Sequence, residues 1–341
     1  MQRRHFLQLS TAGVAGLAAP AVLSQPNPAK LKFTLDFRIS GQVAPFFVAL
    51  HKGYYAAEGL EPGFDVGNGS VAAITRTASG AYDMGFGDIS ALVEFNAAQP
   101  GAPLVQAVYQ YYNRAPFVII GRKDRGITTD FKSLQGKRIA AAAVESTRRA
   151  WPMAAKHAGM KVDAFEWVTT DFSQRDNVII RGDVDGATYF HDSALSLFQR
   201  LDPAQLSVLS YAEAGLNLYG NAILASSRLI AEKPDLVRGF LRATNRALME
   251  TLADPVAAMA YVKRREPMID EKVEAERFKI TARYITAADT RAHGLGDVRP
   301  ELVAQQVAEV SQTFGLKQAP SADGIYNLSF LPPKAERLLK A

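Results

Sequence analysis

Residues 32–66 read KFTLDFRISGQVAPFFVALHKGYYAAEGLEPGFDV, and this stretch decides the fold class. The segment Lys32–Phe37 alternates apolar and polar side chains, which is the period of a half-buried strand. After a turn, Pro45–Lys52 has a helical pattern that ends at a glycine. A second short strand follows at Gly63–Val66. The stretch therefore predicts a strand, a helix and a second strand, the order that is typical of a parallel α/β unit.

The same order continues and then recurs further along the chain. A helix over Val71–Ser79 and a strand over Ala81–Phe86 complete the first block. A second block is predicted from strands at 136–143 and 165–168 and a helix over Phe172–Arg181. The sequences GAYDMG at 80–85 and GDVDGA at 182–187 occupy matching places in the two blocks. The duplication predicts two α/β lobes of similar plan, each with a mostly parallel sheet.

Two extended segments join the blocks. Ala115–Gly121 leaves the first lobe and Tyr219–Ser226 returns to it, and the chain beyond Pro234 is predicted to be helical. The fold class predicted is α/β, with two doubly wound lobes joined by two crossover strands. We expect lobe 1 to be discontinuous, over residues 30–117 plus 222–341, and lobe 2 to span 118–221. Two crossings would form a hinge with a cleft between the lobes.

The N-terminus has the pattern of an export signal. Arg3 and Arg4 precede an uncharged stretch of small and apolar residues from Leu9 to Val22, which contains Ala19-Pro20-Ala21. A basic start, a short apolar region and a small-x-small site are typical of a cleaved signal peptide, and paired arginines indicate the twin-arginine route. We expect a signal peptide over residues 1–25, a mature start between Gln25 and Lys30, and a periplasmic location.

Composition excludes several function classes. The 341 residues carry 39 Lys and Arg against 34 Asp and Glu, a formal net charge of +5, so nucleic acid is not an expected partner. There is no cysteine, which excludes a thiolate nucleophile and a Cys-ligated metal site. No phosphate loop, dinucleotide fingerprint or Ser/His/Asp arrangement is present. The sequence predicts no cofactor, no metal site and no catalytic residue.

Several motifs resemble one family of exported solute-binding proteins. They are Asp36-Phe37-Arg38, the segment 44–49, Lys52–Tyr55 with Glu58-Gly59-Leu60, Gly126-Ile127-Thr128 with Leu134–Ile139, Gly182–Asp185, and Glu232–Val237 with Ala253-Asp254-Pro255. They run in the family's order from about Leu31 to Pro255. The family serves ABC importers for nitrate, sulfonates, taurine and the pyrimidine precursors of thiamine.

The resemblance implies a type II periplasmic binding protein fold and a receptor that is not an enzyme. The expected partners are a small-molecule solute and an ABC permease at the inner membrane, and the receptor is expected to be a monomer. The family also includes a pyrimidine synthase that uses a reactive histidine and a cysteine cluster with iron. Here Val43 stands where that histidine is expected. A synthase-like enzyme, an exported enzyme with Asp36 and Asp88 as acid and base, and a ligand-sensing receptor are the alternatives.

Candidate ligand groups in the first lobe lie at the carboxyl ends of strands and at helix starts, where α/β clefts bind ligands. By the resemblance, an aromatic residue at Phe37 stacks on a planar ligand, and Arg38 has the fork that pairs with a carboxylate or sulfonate. The candidates in this lobe are Asp36, Phe37, Arg38, Gln42, Ser70, Gly87 and Asp88. The alternatives are a core role for Phe37, a surface ion pair for Arg38, and helix capping for Ser70 and Asp88.

The second lobe contributes candidates at a helix start and after a strand. They are Ser146, Thr147, Tyr189 and His191. A lone histidine such as His191 is more often a hydrogen-bond partner than a metal ligand. Arg38 and the helix starts favour an anion, whereas Phe37, Tyr189 and His191 favour a planar ring. A carboxylated or sulfonated aromatic compound would satisfy both, and the sequence leaves the solute open between sulfonate, nitrate, taurine, pyrimidine and aromatic acid.

Overall fold

The structure is a computed structural model that describes residues 27–99 and 101–339. The predicted signal peptide, residues 1–25, lies outside these described residues. Within them, no helix combines the length and the apolar character that a membrane span requires.

The strands form two separate five-stranded sheets. The first sheet has the order β2-β1-β3-β10-β4 and the second the order β7-β6-β8-β5-β9. The strands are β1 Ala29–Thr34, β2 Leu60–Asp65, β3 Met84–Asp88, β4 Val105–Gln110, β5 Phe117–Arg122, β6 Arg138–Ala141, β7 Glu166–Thr169, β8 Gly186–Phe190, β9 Leu206–Ser210 and β10 Asn221–Ser226. The predicted two-sheet α/β architecture is therefore confirmed.

The helices cover the faces of both sheets. They are α1 Ala44–His51, α2 Tyr54–Ala57, α3 Ser70–Ala78, α4 Ile89–Ala97, α5 Ser146–His157, α6 Arg175–Arg181, α7 Leu195–Phe198, α8 Ser227–Glu232, α9 Pro234–Ala253, α10 Pro255–Arg265, α11 Glu271–Ile285, α12 Ala288–His293, α13 Pro300–Phe314, α14 Ala322–Ile325 and α15 Lys334–Arg337. Short 3-10 turns include Gly41–Val43 and His191–Ala194.

The first sheet is held by a buried aromatic core. Phe33 of β1 lies 5.0 Å from Phe46 of α1, 5.3 Å from Phe64 of β2 and 5.4 Å from Phe240 of α9, measured between ring centroids. All of these rings are almost fully buried. Aromatic pairs at such distances add attraction to the burial of apolar area. The alternating apolar positions of the opening stretch thus anchor β1 under α1 and α9, and this fixes where the loop after β1 emerges.

Both sheets are mixed, but four of the five described strands in each run in the same direction, so the prediction of mostly parallel sheets is confirmed apart from one reversed strand per sheet. β1 pairs parallel with β2 and β3, but β10 pairs antiparallel with β3 and β4. In the second sheet β5 pairs antiparallel with β8 and β9. The antiparallel strands are the two that follow the crossings between sheets. Each enters its new sheet from the opposite end, so its direction is reversed relative to its neighbours.

The chain crosses between the sheets twice, over residues 111–116 and 211–220. Strand membership divides at β5 and again at β10, close to the predicted boundaries at 117/118 and 221/222. Whether each half forms an independent lobe is not tested by strand membership, so the domain limits stay a prediction. Below, the parts of the chain around the first and second sheets are called lobe 1 and lobe 2.

A buried polar cluster joins the two lobes beside the crossing. Asp192 of lobe 2 accepts hydrogen bonds from the hydroxyls of Tyr112 (2.5 Å) and Thr281 (2.8 Å). Its backbone carbonyl accepts from Arg277 of α11 at 2.6 Å. The Arg277 side chain also pairs with Glu274 at 2.8 Å. Because charge-assisted bonds are the stronger class, this cluster fixes the lobes with their facing loops in contact.

Candidate functional site

A small cavity lies where the loops of the two lobes meet. It has a volume of about 40 Å³ and is called the inner pocket. Its lining residues are Asp36, Phe37, Gln42, Gly69, Ser70, Glu145, Ser146, Phe172, Arg175, Phe190 and Ser193. Both sheets contribute, so the cavity exists only when the lobes are together. Sites of this kind form at the carboxyl ends of strands in α/β sheets.

Lobe 1 builds its wall from the loops after β1 and β2. Gly67 packs against the backbone of Leu35 and Asp36 so closely that a Cβ there would collide with the Leu35 carbonyl oxygen. The N–H of Gly69, which has φ of +93°, donates to the Asp36 carbonyl oxygen at 2.6 Å. These contacts lock the two loops together and bring the first residue of α3, Ser70, next to Asp36.

Asp36 is a buried acid that faces this cavity with one unsatisfied oxygen. Its Oδ2 accepts a hydrogen bond from the Asn221 amide at 2.6 Å, whereas its Oδ1 is buried and has no partner among the described residues. Burial raises the pKa of Asp36 from 3.8 to about 7, against the opposing effect of the Asn221 bond. Desolvation disfavours the charged form of a carboxyl group. Near neutral pH this group is therefore able to donate or to accept a proton.

Lobe 2 contributes a buried ion pair. Arg175 and Glu145 are 2.8 Å apart with side chains 5% and 3% exposed, and Glu145 also accepts from the Thr188 hydroxyl at 2.8 Å. The Arg175 guanidinium lies 3.9 Å from the centroid of the Tyr189 ring. Its Nε is buried and has no partner among the described residues. Burial raises the pKa of Glu145 while the guanidinium opposes that shift.

Aromatic rings close the cavity on three sides. The ring of Phe37 in lobe 1 meets that of Phe172 in lobe 2 edge to face at 5.3 Å. Phe190, at the end of β8, supplies the third ring and lies 5.3 Å from Phe117. Rings contributed by opposite lobes can hold a flat solute between them only if they separate when the cleft opens. The inner pocket thus combines apolar walls with a few buried polar atoms, the composition that is typical of small-molecule sites.

A larger cavity, called the outer compartment, continues from the inner pocket towards solvent. It has a volume of about 480 Å³. It shares Phe37, Phe172, Arg175 and Ser193 with the inner pocket and adds Arg38, Asn68, Asp171, Ser173, Asp176 and Ser196. Its lining is mostly polar and includes both signs of charge.

More than half of the predicted site residues line these cavities. Asp36, Phe37, Gln42, Ser70 and Ser146 line the inner pocket, and Arg38 lines the outer compartment. The Arg38 guanidinium lies 5.6 Å from the Phe37 ring centroid. The structure brings these residues together, whereas their role in binding a ligand stays a prediction.

The remaining predicted residues lie elsewhere. Asp88 caps α4 through a 3.0 Å bond from the Ala91 N–H, and Gly87 is buried within β3. Thr147 donates to the Tyr189 carbonyl oxygen, and the Tyr189 hydroxyl donates to Asp176 at 2.7 Å. His191 pairs through Nδ1 with the Tyr284 hydroxyl at 2.8 Å, and burial lowers its pKa. These five line neither cavity.

Of the inner-pocket residues in lobe 2, the predicted site residues include only Ser146 and omit Phe172, Arg175, Phe190 and Ser193. The sequence pattern places Phe172 and Arg175 only within a helix, and it singles out His191 rather than its neighbours Phe190 and Ser193. The available signal was the position of Phe172 in the turn after a predicted strand. That position marks a loop at the edge of the sheet, but β7 corresponds to β2 in the duplicated plan, so the duplication matches Phe172 with the loop at Asn68 and does not point to an aromatic residue.

Comparisons with known proteins place the chain among its relatives. A family model described as "NMT1/THI5 like" matches residues 40–258. The riboflavin-binding protein RibY of Chloroflexus aurantiacus is 31% identical over 248 residues, covering 72% of this chain and 69% of RibY. The 4-amino-5-hydroxymethyl-2-methylpyrimidine phosphate synthase of Aspergillus parasiticus is 26% identical over 267 residues, covering 75% of this chain and 77% of the synthase.

Solved structures agree on the fold. The periplasmic aliphatic sulphonate-binding protein SsuA from Escherichia coli superposes with a TM-score of 0.69 at 14% identity, covering 89% of this chain and 99% of SsuA. Because the sequence identity is low, this similarity shows that the two proteins share a fold and shows nothing about function. The expected periplasmic binding protein fold is confirmed.

One sequence-based expectation is wrong. The chain was expected not to be an enzyme, but several curated relatives at 24–26% identity are named pyrimidine phosphate synthases. Relatedness to named enzymes overturns that exclusion, because one fold hosts both binding and catalysis.

Proposed function

This chain belongs to the NMT1/THI5-like family, and from that membership together with the chemistry of the inner pocket we propose that it is an extracytoplasmic solute-binding receptor of an ABC importer. Its solute is a planar, uncharged nitrogen heterocycle of the flavin or pyrimidine type. The receptor captures the ring between the lobes and presents the closed form to a permease in the inner membrane. The N-terminal twin-arginine pattern and the relative named as a riboflavin-binding protein support this assignment.

The charges of the inner pocket favour a neutral ring over an anion. Two carboxylates, Asp36 and Glu145, face one guanidinium, Arg175, which is already paired. A sulfonate, a nitrate or an aromatic acid would bring a further negative charge next to Glu145 and to Asp36, which is partly ionised near pH 7, and like charges in a buried site are unfavourable. A helix N-terminus by itself attracts anions. At Ser70 and Ser146, however, the carboxyl groups of Asp36 and Glu145 already lie beside the helix start.

The observation that carries the proposal is the pair of unsatisfied atoms between aromatic walls. Asp36 Oδ1 and Arg175 Nε are both buried and lack partners among the described residues, and they belong to opposite lobes. Flavin and aminopyrimidine rings have N–H donors and ring-nitrogen or carbonyl acceptors along one edge. An N–H group on such a ring edge can donate to Asp36 Oδ1, and an acceptor on the same edge can accept from Arg175 Nε. Phe37 and Phe172 then contact the faces of the ring.

Ligand binding would stabilise the closed arrangement of the lobes. In the structure the inner pocket is much smaller than a flavin ring, and the Phe37–Phe172 contact occupies the place between the lobes. A bound ring replaces that contact with two ring–ligand contacts. Closure then follows from the higher affinity of the closed state for the solute.

A thermal-shift screen of the purified chain tests the assignment. Riboflavin and 4-amino-5-hydroxymethyl-2-methylpyrimidine are compared with an alkanesulfonate, taurine and nitrate. At a ligand concentration 100 times Kd, we expect Tm to rise by roughly 3–6 °C for a heterocycle. Mass spectrometry of the recovered compound then distinguishes capture from conversion. A rise with the anions alone would contradict the proposal.

The relatives named as synthases favour a second candidate, a pyrimidine-forming enzyme. It is distinguished in the same screen by looking for the phosphorylated pyrimidine product by mass. At the position where the resemblance places the reactive histidine, the structure has Val43, which is 1% exposed beside Gln42. Product formed by this chain would establish the synthase and refute capture without conversion.

A substitution at Phe172 gives a sharper test of the aromatic wall. Phe172→Ala removes one stacking partner, and stacking of a heterocycle on an aromatic side chain contributes about 1–3 kcal/mol. We expect Kd for the responding heterocycle to rise by about 5- to 150-fold, measured by calorimetry. Tyr261→Ala on α10 is the matched control, because this half-buried aromatic residue lines neither cavity and should leave Kd unchanged. Equal Kd values for the two variants would contradict stacking at Phe172.

A further inference from the structure

The residues that line the outer compartment indicate the chemistry of the part of the solute that extends beyond the ring. It is about twelve times larger than the inner pocket, at about 480 Å³ against about 40 Å³. The two share Phe37 and Phe172, so a substituent on a ring held between these side chains enters the outer compartment directly. Its lining therefore selects among derivatives of the same ring.

Four charged side chains line this compartment and they balance one another. Arg38 and Arg175 are positive, and Asp171 and Asp176 are negative. Arg175 is already neutralised by Glu145 at 2.8 Å, which leaves the carboxylates in excess. Asp176 accepts a bond from the Tyr189 hydroxyl at 2.7 Å and so is held in place.

The uncharged members of the lining are hydroxyls and an amide. Asn68, Ser173, Ser193 and Ser196 offer both donors and acceptors. Hydroxyl groups on a ligand, which also donate and accept, match this mixture. A phosphate monoester does not match it, because it carries a charge of about −1.5 to −2 at pH 7 and accepts without donating.

We propose that the outer compartment selects a heterocycle with an unphosphorylated, hydroxyl-bearing tail, and that Asp171 and Asp176 reject the phosphate ester of the same solute. This inference rests on the proposed function and narrows its solute class. Phosphate sites gather arginines around the ester, whereas here two carboxylates face Arg38, whose guanidinium has no ion-pair partner within residues 27–99 and 101–339. Asp176 is half-buried whereas Asp171 is exposed, so a phosphate ester beside them meets a like-charge repulsion that solvent screens less at Asp176 than at Asp171.

Calorimetry with matched ligand pairs tests the inference on the full chain. The pairs are riboflavin with flavin mononucleotide, and 4-amino-5-hydroxymethyl-2-methylpyrimidine with its phosphate. We expect the unphosphorylated member of the responding pair to bind at least 10-fold more tightly. Asp171→Asn and Asp176→Asn should each reduce this ratio several-fold by strengthening binding of the phosphorylated member.

The control variant is Asp163→Asn, which removes one exposed negative charge in lobe 2 away from the compartment. It should leave the ratio unchanged. Three results would overturn the inference while leaving the proposed function intact. They are equal binding of both members of a pair, tighter binding of the phosphate ester, and an unchanged ratio of the two Kd values in both aspartate variants. Failure of both pairs to bind would instead refute the proposed function.

Discussion

Replacing Arg175 by methionine is expected to lower the free energy of unfolding by about 3–5 kcal/mol at pH 7. The substitution keeps an apolar stem of similar length but removes the guanidinium from a pair whose side chains are 5% and 3% exposed. Glu145 is then left as a buried carboxylate with the Thr188 hydroxyl as its main remaining side-chain donor. Breaking a buried pair on one side is costly because the other charge stays out of water. Chemical denaturation measures the loss.

The matched control is Arg238→Met, which breaks an exposed pair with Asp235 on α9. Here the side chains are 41% and 94% exposed, so the expected change is below about 1 kcal/mol. At acidic pH the difference in the free energy of unfolding between the Arg175→Met variant and the parent protein should become smaller, because a protonated Glu145 no longer carries a buried charge. Similar losses for the two variants would show that the Glu145–Arg175 pair does not act as a buried pair in solution.

The second large effect is a pH-dependent gain in stability from Asp36→Asn. The pKa of Asp36 is about 7 in the folded protein and 3.8 in the reference state. Between these values the unfolded chain releases the Asp36 proton while the folded chain retains it, so folding becomes less favourable as pH rises. The penalty is absent below about pH 4 and complete above about pH 7. The difference between the two pKa values corresponds to a penalty on the order of 4 kcal/mol.

Asparagine has no titrating proton. The free energy of unfolding of the Asp36→Asn variant should therefore be equal to or lower than that of the parent protein at pH 4, and higher than it at pH 8. Its amide oxygen can still accept the bond from Asn221. Denaturation at several pH values with Asp163→Asn as the exposed control measures the difference. Burial also raises the pKa of Asp88 to about 7. The free energy of unfolding of the Asp36→Asn variant should therefore still fall as pH rises, but less steeply than that of the parent protein. Parallel pH profiles for Asp36→Asn and the parent protein would contradict a buried, partly protonated Asp36.

A gain of this kind has a functional meaning. A buried acid with a free oxygen lowers the stability of the unliganded protein, and sites commonly retain such groups because the ligand satisfies them. The same substitution should therefore weaken binding of the heterocycle while stabilising the empty receptor.

Individual elements explain where sequence reasoning succeeded. The predicted strand at 32–37 is observed as β1 at 29–34, and the predicted helix at 45–52 is α1 at 44–51. The GAYDMG and GDVDGA segments lead into β3 and β8, each the central strand of its sheet. These features depend on local periodicity and on turn residues, which a single segment contains in full.

Other residues show where sequence reasoning stopped. In the first turn of α5, Arg149 pairs with Glu94 of α4, and Arg148 donates a hydrogen bond to the Thr169 hydroxyl. His191 faces Tyr284, which lies 93 residues further along the chain. Asp88 caps its helix, an alternative that the sequence had left open. Choosing between such roles requires knowing which distant segment packs against the residue.

The sequence by itself determined the α/β class, the duplicated plan and several of the loops that line the cavities, because these follow from short-range patterns of apolar residues and turns. Only the tertiary structure decided that Phe37 meets Phe172, that Arg175 pairs with Glu145, and that Asp36 is buried with a free oxygen. Each of these depends on how two lobes, crossed twice by the chain, bring the ends of separate sheets together. Burial and its effect on pKa arise from that contact and have no counterpart in any single segment.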